Sequence, residues 1–101
     1  MSFQNQISAA IKAKKQVKIN YKNEGYRIIN PHILYISSTG KTNLDAYQLS
    51  GYSSNPSQLP DWREFCIDEI TELYLLNDTF NAAPGYNPIN TQRYVVIIAQ
   101  I

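Results

Sequence analysis

The first part of the chain changes from a helical to a strand-like spacing of hydrophobic residues. Over Ser2–Lys15 these residues recur at intervals of three and four, which predicts an amphipathic helix. Val17, Ile19 and Tyr21 then alternate with polar residues, so a half-buried strand is expected to follow. Polar residues and a glycine at 23–25 predict a hairpin turn after that strand.

Three further strands and one long polar loop are predicted in the middle of the chain. The second strand, 26–37, is interrupted at Pro31, which has no N–H for a ladder and therefore marks an edge, a bulge or a bend. The third strand is expected at 42–49 and the fourth at 62–67. Residues 50–61 between them include four serines and two prolines. They predict a loop of a length that is usually functional or mobile.

The last third of the chain is less regular. Residues 70–76 fit a helix or a strand, and we expect a short turn followed by a fifth strand. The β-branched run 95–98 suits a buried strand, whereas the hydrophobic spacing over 94–101 favours a helix, which we predict. The whole pattern predicts a mainly β fold, a small curled antiparallel sheet or barrel of five strands with an N-terminal helix and a possible C-terminal helix.

Composition indicates one globular domain over residues 1–101. Hydrophobic residues make up 44% of the chain and charged residues 17%, which excludes a disordered protein. The net charge of +1 argues against a strongly basic nucleic-acid coat, although a local basic patch is compatible with it. The eight tyrosines suit half-buried strands and amphipathic surfaces.

Several function classes find little support in the sequence. No signal peptide is visible, and the longest apolar run, 95–99, is too short to cross a membrane, so a cytoplasmic protein without membrane contact is expected. Cys66 is the single cysteine, which excludes an intramolecular disulfide and predicts a small buried side chain. No nucleophile elbow or glycine-rich phosphate loop is present, and no metal ligands have a suitable spacing. We therefore expect no enzyme, no metal and no cofactor.

The order of four segments is similar to that of a known family. The segments are Val17–Tyr21, Arg27–Leu34, Leu44–Tyr47 and Arg63–Ile70. Together they resemble the WYL domain, a bacterial regulatory module, over residues 7–80. The tripeptide that names the family would fall at 42–44, where only Leu44 matches, and the loop 48–60 is longer than in typical members.

The resemblance implies an SH3-like (Sm-like) barrel without catalytic activity. Family members commonly stand beside a DNA-reading winged helix or helix-turn-helix, in transcription control, phage defence or the DNA damage response. Because the chain begins at Met1 with one short helix, we expect a stand-alone WYL-like module. The resemblance also implies that the ligand is a nucleotide or a single-stranded nucleic acid.

Two arginines are the first candidates for contact with such an anion. Arg27 and Arg63 match basic positions of the family, and a guanidinium offers a planar fork to phosphate. The alternative is that both face solvent and pair with the nearby carboxylates of Glu24, Asp61 or Glu64.

The remaining candidates would read or stack on a base. His32 can hydrogen-bond a base or a phosphate, although a lone histidine often has a structural role. Trp62 either fills the end of the barrel or stacks on a ligand. Aromatic faces stack on bases, and amides and hydroxyls read base edges. The residues of this kind near the end of the third strand are Tyr47, Gln48, Ser50 and Ser53. The alternative is a core tyrosine followed by a solvated loop.

Two functional hypotheses follow. The first is a non-catalytic WYL-like regulatory domain that binds an anionic ligand, and it is favoured if Arg27, His32, Tyr47 and Arg63 converge on one surface. The alternative is a protein–protein interaction module of SH3-like fold, which an exposed apolar patch favours. A module of this size needs a partner for its output, so we expect a homo-oligomer or a regulatory protein partner. The segment 94–101 is a candidate surface for self-association.

Overall fold

The computed structural model describes residues 3–53, 56–89 and 93–101. Its elements are α1 (Phe3–Ala13), β1 (Lys15–Tyr21), β2 (Tyr26–Ile36), β3 (Thr42–Gly51), β4 (Asp61–Cys66), β5 (Ile70–Thr79) and β6 (Val96–Gln100). Short 3-10 turns occupy Pro56–Gln58 and Ile67–Glu69. The prediction of a mainly β fold with an N-terminal helix is confirmed. Ser2, the predicted start of the helix, lies outside the described residues.

All six strands are antiparallel and belong to one sheet in the order β4-β3-β2-β1-β5, with β6 also paired to β2. Strand β2 is long enough to serve two neighbours on the same edge. Its first part, up to Ile29, pairs with β1, and its last part, from Ile33, pairs with β6. A bend between the two parts therefore organises the sheet.

The bend lies at Pro31, as the sequence predicts. Pro31 pairs with Ala46, whereas Ile33 pairs with Asp45, so His32 is the extra residue of a β-bulge. A proline at this position removes a ladder hydrogen bond, which is tolerated where pairing is already interrupted. The bulge bends β2 and frees its second half for β6.

The predicted C-terminal helix is wrong, and the sheet has six strands instead of five. Residues 96–100 form β6 against β2. A register shift in this pairing makes Ile98 an extra residue, so strict alternation is lost. Ile98 and Ile101 pack on the core and Ala99 is buried. The inward Ile98 and Ile101 together with the exposed Ile97 give the helix-like spacing in the sequence.

The sheet is strongly curled. In a flat sheet β1 and β4 would lie about 14 Å apart, because β2 and β3 separate them. Yet the backbone N–H of Cys66 on β4 donates a hydrogen bond to the Tyr21 hydroxyl on β1 at 2.8 Å. The rings of Tyr21 and Phe65 also meet edge to face, with centroids 4.9 Å apart. The outer strands β4 and β5 are not paired with each other within the described residues.

Helix α1 packs on the sheet through Ile7 and Ile11, which are completely buried, and this predicted packing is confirmed. The other large side chains of the core come from every strand, and they include Val17, Ile19, Ile29, Leu34, Leu44, Phe65 and Ile70. Cys66, predicted to be buried, is half-buried. In the described ranges, no helix has the length and apolar character needed to cross a bilayer.

The helix contact gives a test of the fold. Ile11→Asp is expected to lower the free energy of unfolding by about 3–5 kcal/mol, because it places an unpaired charge in the core. Ala9→Asp introduces the same charge on the exposed side of α1 and is expected to cost less than about 1 kcal/mol. Urea denaturation followed by circular dichroism measures both values. Equal effects of the two substitutions would contradict this packing.

Candidate functional site

Arg27 lies at the rim of the curled sheet on the side of the hydrophobic core. Only 11% of its side chain is exposed. Its guanidinium carbon lies 5.4, 5.2 and 5.4 Å from the ring centroids of Tyr21, Tyr52 and Phe65. Three aromatic rings therefore enclose this cation, which suits a weakly hydrated guanidinium.

The polar contacts of Arg27 are long. Nη1 donates to Oε1 of Gln48 at 3.5 Å, and Nη2 lies 3.6 Å from a carboxylate oxygen of Glu24. Nε is buried and has no hydrogen-bond partner in the described part of the chain. Burial lowers the pKa of Arg27, Glu24 partly opposes this, and the nearby positive charge of Arg63 lowers that pKa further. Arg27 is thus a desolvated cation with an incomplete set of partners.

The backbone near Gly51 places Tyr52 over Arg27. Gln48 is completely buried, and its Nε2 donates to the carbonyl oxygens of Ser50 at 3.2 Å and Tyr52 at 2.9 Å. Gly51 has φ of 101°, and a Cβ there would lie 2.2 Å from the carbonyl oxygen of Tyr26. Only glycine fits this approach, so Gly51 and Gln48 together fix the position of the Tyr52 ring.

Arg63 comes to the same rim from β4. It pairs with Ala46, so its side chain leaves the sheet on the same face as Gln48 and Phe65. Nη1 lies 3.1 Å from the Asp61 carboxylate and also donates to the carbonyl of Trp62 at 2.9 Å. Nη2 donates to the Ser53 hydroxyl at 3.4 Å. The ion pairs with Glu24 and Asp61 expected under the structural alternative are therefore present.

His32 is buried and both of its ring nitrogens are used. Nδ1 donates to the carbonyl of Asn30 at 2.7 Å, and Nε2 accepts a hydrogen bond from the N–H of Ala83 at 3.0 Å. These bonds fix the tautomer of a neutral imidazole. Burial lowers the pKa of His32, and the bond to Asn30 only partly offsets this. No edge of this ring is exposed to a ligand.

The predicted site residues divide between the two faces of the sheet. Arg27, Gln48 and Arg63 meet on the core side. On the opposite side Trp62 contacts Tyr47, with ring centroids 5.6 Å apart, and His32, with ring centroids 4.7 Å apart. Ser50 is exposed and offers its carbonyl to Gln48, and Ser53 contacts Arg63. The expected convergence of all the candidates on one surface is therefore not found.

A carboxylate cluster on this opposite face has no counterpart among the predicted site residues. Asp45 is buried, and Nε and Nη2 of Arg93 donate to its two oxygens at 3.0 and 2.7 Å. The hydroxyls of Tyr94 and Tyr35 also donate to Asp45, at 2.6 and 3.1 Å. Glu64, opposite Asp45 on β4, accepts from Tyr35 at 2.7 Å and lies 2.8 Å from Arg93.

Burial and hydrogen bonding shift the pKa values of three groups in this cluster, which are Arg93, Tyr35 and Tyr94. The bond to Asp45 raises the pKa of Arg93, and burial raises the pKa of Tyr35. Burial and the bond to Asp45 raise the pKa of Tyr94 to about 12. Arg93 therefore stays charged, and Tyr35 and Tyr94 stay neutral, at neutral pH.

A cavity of about 340 Å³ adjoins this cluster. Trp62, Tyr86 and Tyr94 provide aromatic walls, Asp45, Glu64 and Arg93 provide the charged ones, and Arg63 also borders the cavity. In the described ranges no group of three histidine, cysteine or acidic side chains is arranged to hold a metal ion.

Some residues of these sites carry a signal in the sequence and others do not. Asp45 is an acid between the hydrophobic residues Leu44 and Ala46 on a strand, and it indicates a buried polar cluster. Nothing in the sequence links it to Arg93, which lies 48 residues later. The rings around Arg27 come from three separate elements and have no common local motif.

Comparison of the sequence with known proteins gives no match, either to a family model or to a curated protein. The site is therefore interpreted from its own geometry.

The buried histidine predicts a specific response to acid. The lowered pKa means that the unfolded chain binds a proton near pH 6.5 while the folded state does not. The stability that His32 contributes is present above pH 6.5 and is lost as the pH falls below it. Because His32 is the only histidine, its ring signals in a proton NMR titration report this pKa directly. A midpoint at or above 6.5 would contradict the buried neutral state.

Proposed function

We propose that this protein is a non-catalytic binding module for a small phosphate-bearing ligand, a nucleotide or a short single-stranded nucleic acid. The site is the rim formed by Arg27 and Arg63. A curled antiparallel sheet with an N-terminal helix is compatible with the SH3-like barrel that the WYL resemblance implies, and a regulatory role, for example in transcription control or phage defence, would follow from that resemblance.

The observation that supports the proposal best is the state of Arg27. Its guanidinium is desolvated, Nε has no partner among the described residues, and the Glu24 carboxylate lies at 3.6 Å. A buried charge without a close partner is costly unless an anion completes its contacts. A phosphate group supplies the missing charge and the acceptor oxygens.

A ligand can displace the two carboxylates that now pair with Arg27 and Arg63. The side chains of Glu24 and Asp61 are 44% and 48% exposed. A partly exposed carboxylate can return to water, so a phosphate that contacts both guanidiniums can take the place of Glu24 and Asp61. The desolvated fork of Arg27 gives the stronger contact and Arg63 the second one.

In this site Tyr52 provides the aromatic ring on which a base can stack. Its ring is held over Arg27 by the Gln48 hydrogen bonds and by the close backbone at Gly51. A base that lies beside the phosphate would stack on this ring. His32, Tyr47 and Trp62, which the sequence predicts as neighbours of the ligand, lie on the other side of the sheet and have no part in the proposed rim.

Substitution of the two arginines tests the proposal. Arg63→Ala and Arg27→Lys are each expected to weaken binding of single-stranded oligonucleotides or nucleotides about tenfold, which corresponds to one charge-assisted hydrogen bond of about 1.5 kcal/mol. Fluorescence anisotropy measures the affinity for labelled oligonucleotides, and calorimetry measures the affinity for nucleotides. Affinity should also decrease with added salt, because phosphate contacts release counterions.

Lys12→Ala is the matched control, since it removes one exposed positive charge from α1, away from the rim. Its affinity should equal that of the wild type. If Lys12→Ala weakens binding as much as the arginine substitutions do, the binding is a nonspecific electrostatic attraction. Binding that survives in both arginine variants, with the fold intact by circular dichroism, would refute the site.

A second candidate function is protein association through the outer strand β5. Tyr74 and Leu75 on this strand are exposed, as is Tyr26 on β2. Tyr26 and Tyr74 both donate to Glu72, and the Lys18 ammonium lies 4.5 Å from the Tyr26 ring centroid. An ordered aromatic patch on the sheet face beside β5, the outermost strand of the described sheet, suits a partner strand or a second copy of the chain.

Light scattering after size exclusion tests this association. A dimer at tens of micromolar protein that becomes monomeric with Leu75→Lys would support an interface at β5. A strict monomer of 11.5 kDa would exclude self-association and leave a different protein as the partner. The segment 94–101 is another candidate surface, because Val95, Val96 and Ile97 are exposed, whereas Ala99 is buried and Ile101 packs against the core.

A further inference from the structure

The cavity beside the carboxylate cluster has a volume in the lower part of the range for small-molecule sites. It lies on the face of the sheet opposite Arg27, where Trp62 and Glu64 project from β4. The proposed phosphate site gives this cavity no role, although the cavity combines aromatic walls with two carboxylates.

The hydrogen-bond donors of the aromatic walls are already committed. Nε1 of Trp62 donates to the carbonyl of Pro84 at 2.6 Å, and the Tyr86 hydroxyl donates to the carbonyl of Ile101 at 2.8 Å. The Tyr94 hydroxyl donates to Asp45. These bonds hold the three rings in place, and they leave ring faces and edges rather than free donors toward the cavity.

The carboxylates in and beside the cavity outnumber the cations by one. Asp45 and Glu64 face the guanidinium of Arg93, whereas the guanidinium of Arg63 is paired with Asp61 on the core side of β4. Asp45 accepts hydrogen bonds on both oxygens. Glu64 uses Oε2 for Tyr35 and Arg93, and its Oε1 accepts none from the described residues. Glu64 is therefore the available anion at the edge of the cavity, and 48% of its side chain is exposed.

Arg93 shows how this face holds an organic cation. Its guanidinium carbon lies 5.7 and 5.8 Å from the ring centroids of Tyr35 and Tyr94, while Asp45 and Glu64 bind its nitrogens. The adjoining cavity repeats this combination, with Trp62 and Tyr86 as rings and the remaining oxygen of Glu64 as the counter-charge. Tryptophan is the best aromatic partner for a cation.

We propose that the cavity is a binding site for a small organic cation, an alkylammonium or a guanidinium, with Glu64 as the counter-charge and Trp62 and Tyr86 as the aromatic walls. The cation brings a positive charge and donors to the remaining oxygen of Glu64. Trp62 and Glu64 project from the opposite face of β4 from the Arg27 rim, and Arg63 borders both sites.

Trp62 is the only tryptophan, so its fluorescence reports directly on the cavity. The full chain is titrated with choline and with dimethylbutanol, the uncharged carbon isostere of choline, at constant ionic strength. A saturable change with choline and none with dimethylbutanol is expected. A third titration with blocked arginine amide tests whether the cation can be the guanidinium of a peptide side chain. The cation that binds more tightly, choline or arginine amide, identifies the preferred class of ligand.

Glu64→Gln is expected to weaken binding of the cation about tenfold, whereas Glu69→Gln, which removes an exposed carboxylate outside the cavity, is expected to leave it unchanged. If circular dichroism shows that the Glu64→Gln variant does not fold, the Glu64→Asp variant is used instead. This substitution keeps the negative charge but shortens the side chain by one methylene, so weaker binding of the cation is again expected. Equal responses to choline and its isostere, or full affinity in the Glu64 variant, would overturn the proposal. So would the absence of binding of either cation at millimolar concentration.

Arg27→Lys separates this result from the phosphate site. The substitution is expected to weaken nucleotide binding and to leave the choline titration unchanged. If the protein binds nucleotides but not choline, only the proposed cation site is refuted. If it binds choline but not nucleotides, only the proposed phosphate site is refuted.

Discussion

Pro31 has no N–H to give to the sheet, and directly after it β2 takes up the extra residue His32. The bulge divides β2 into a part that pairs with β1 and a part that pairs with β6. The inserted imidazole is then buried among Trp62, Phe80 and Tyr86, and its Nε2 accepts the N–H of Ala83. One local interruption thus bends the sheet and anchors the segment that leads to β6.

The curl of the sheet decides which side chains can act together. Gln48 and Tyr47 are adjacent in the chain but lie on opposite faces, because side chains alternate along a strand. Gln48 therefore joins Arg27 at the rim of the core, and Tyr47 joins Trp62 on the other side. The molecule has two separate chemical surfaces, one with desolvated guanidinium groups and one with aromatic rings and carboxylates.

The two surfaces also differ in how their charges are satisfied. Asp45 is buried and receives four hydrogen bonds, from Arg93, Tyr94 and Tyr35, so the desolvation of its charge is compensated. Arg27 is similarly buried but has long contacts and an unpartnered Nε within the described residues. The first arrangement compensates a buried charge fully, and the second leaves a buried donor without a partner among the described residues.

Local patterns in the sequence were sufficient for α1 and for β1 to β5, because alternation and helical spacing depend on near neighbours. The interruption at Pro31 was equally local, since a missing N–H is a property of the residue itself. Strand β6 was not predictable, because its bulge at Ile98 and its place beside β2 depend on a distant partner. The rings around Arg27 and the contact of Asp45 with Arg93 exist only after the sheet curls, because only tertiary structure brings residues so distant in the chain into contact.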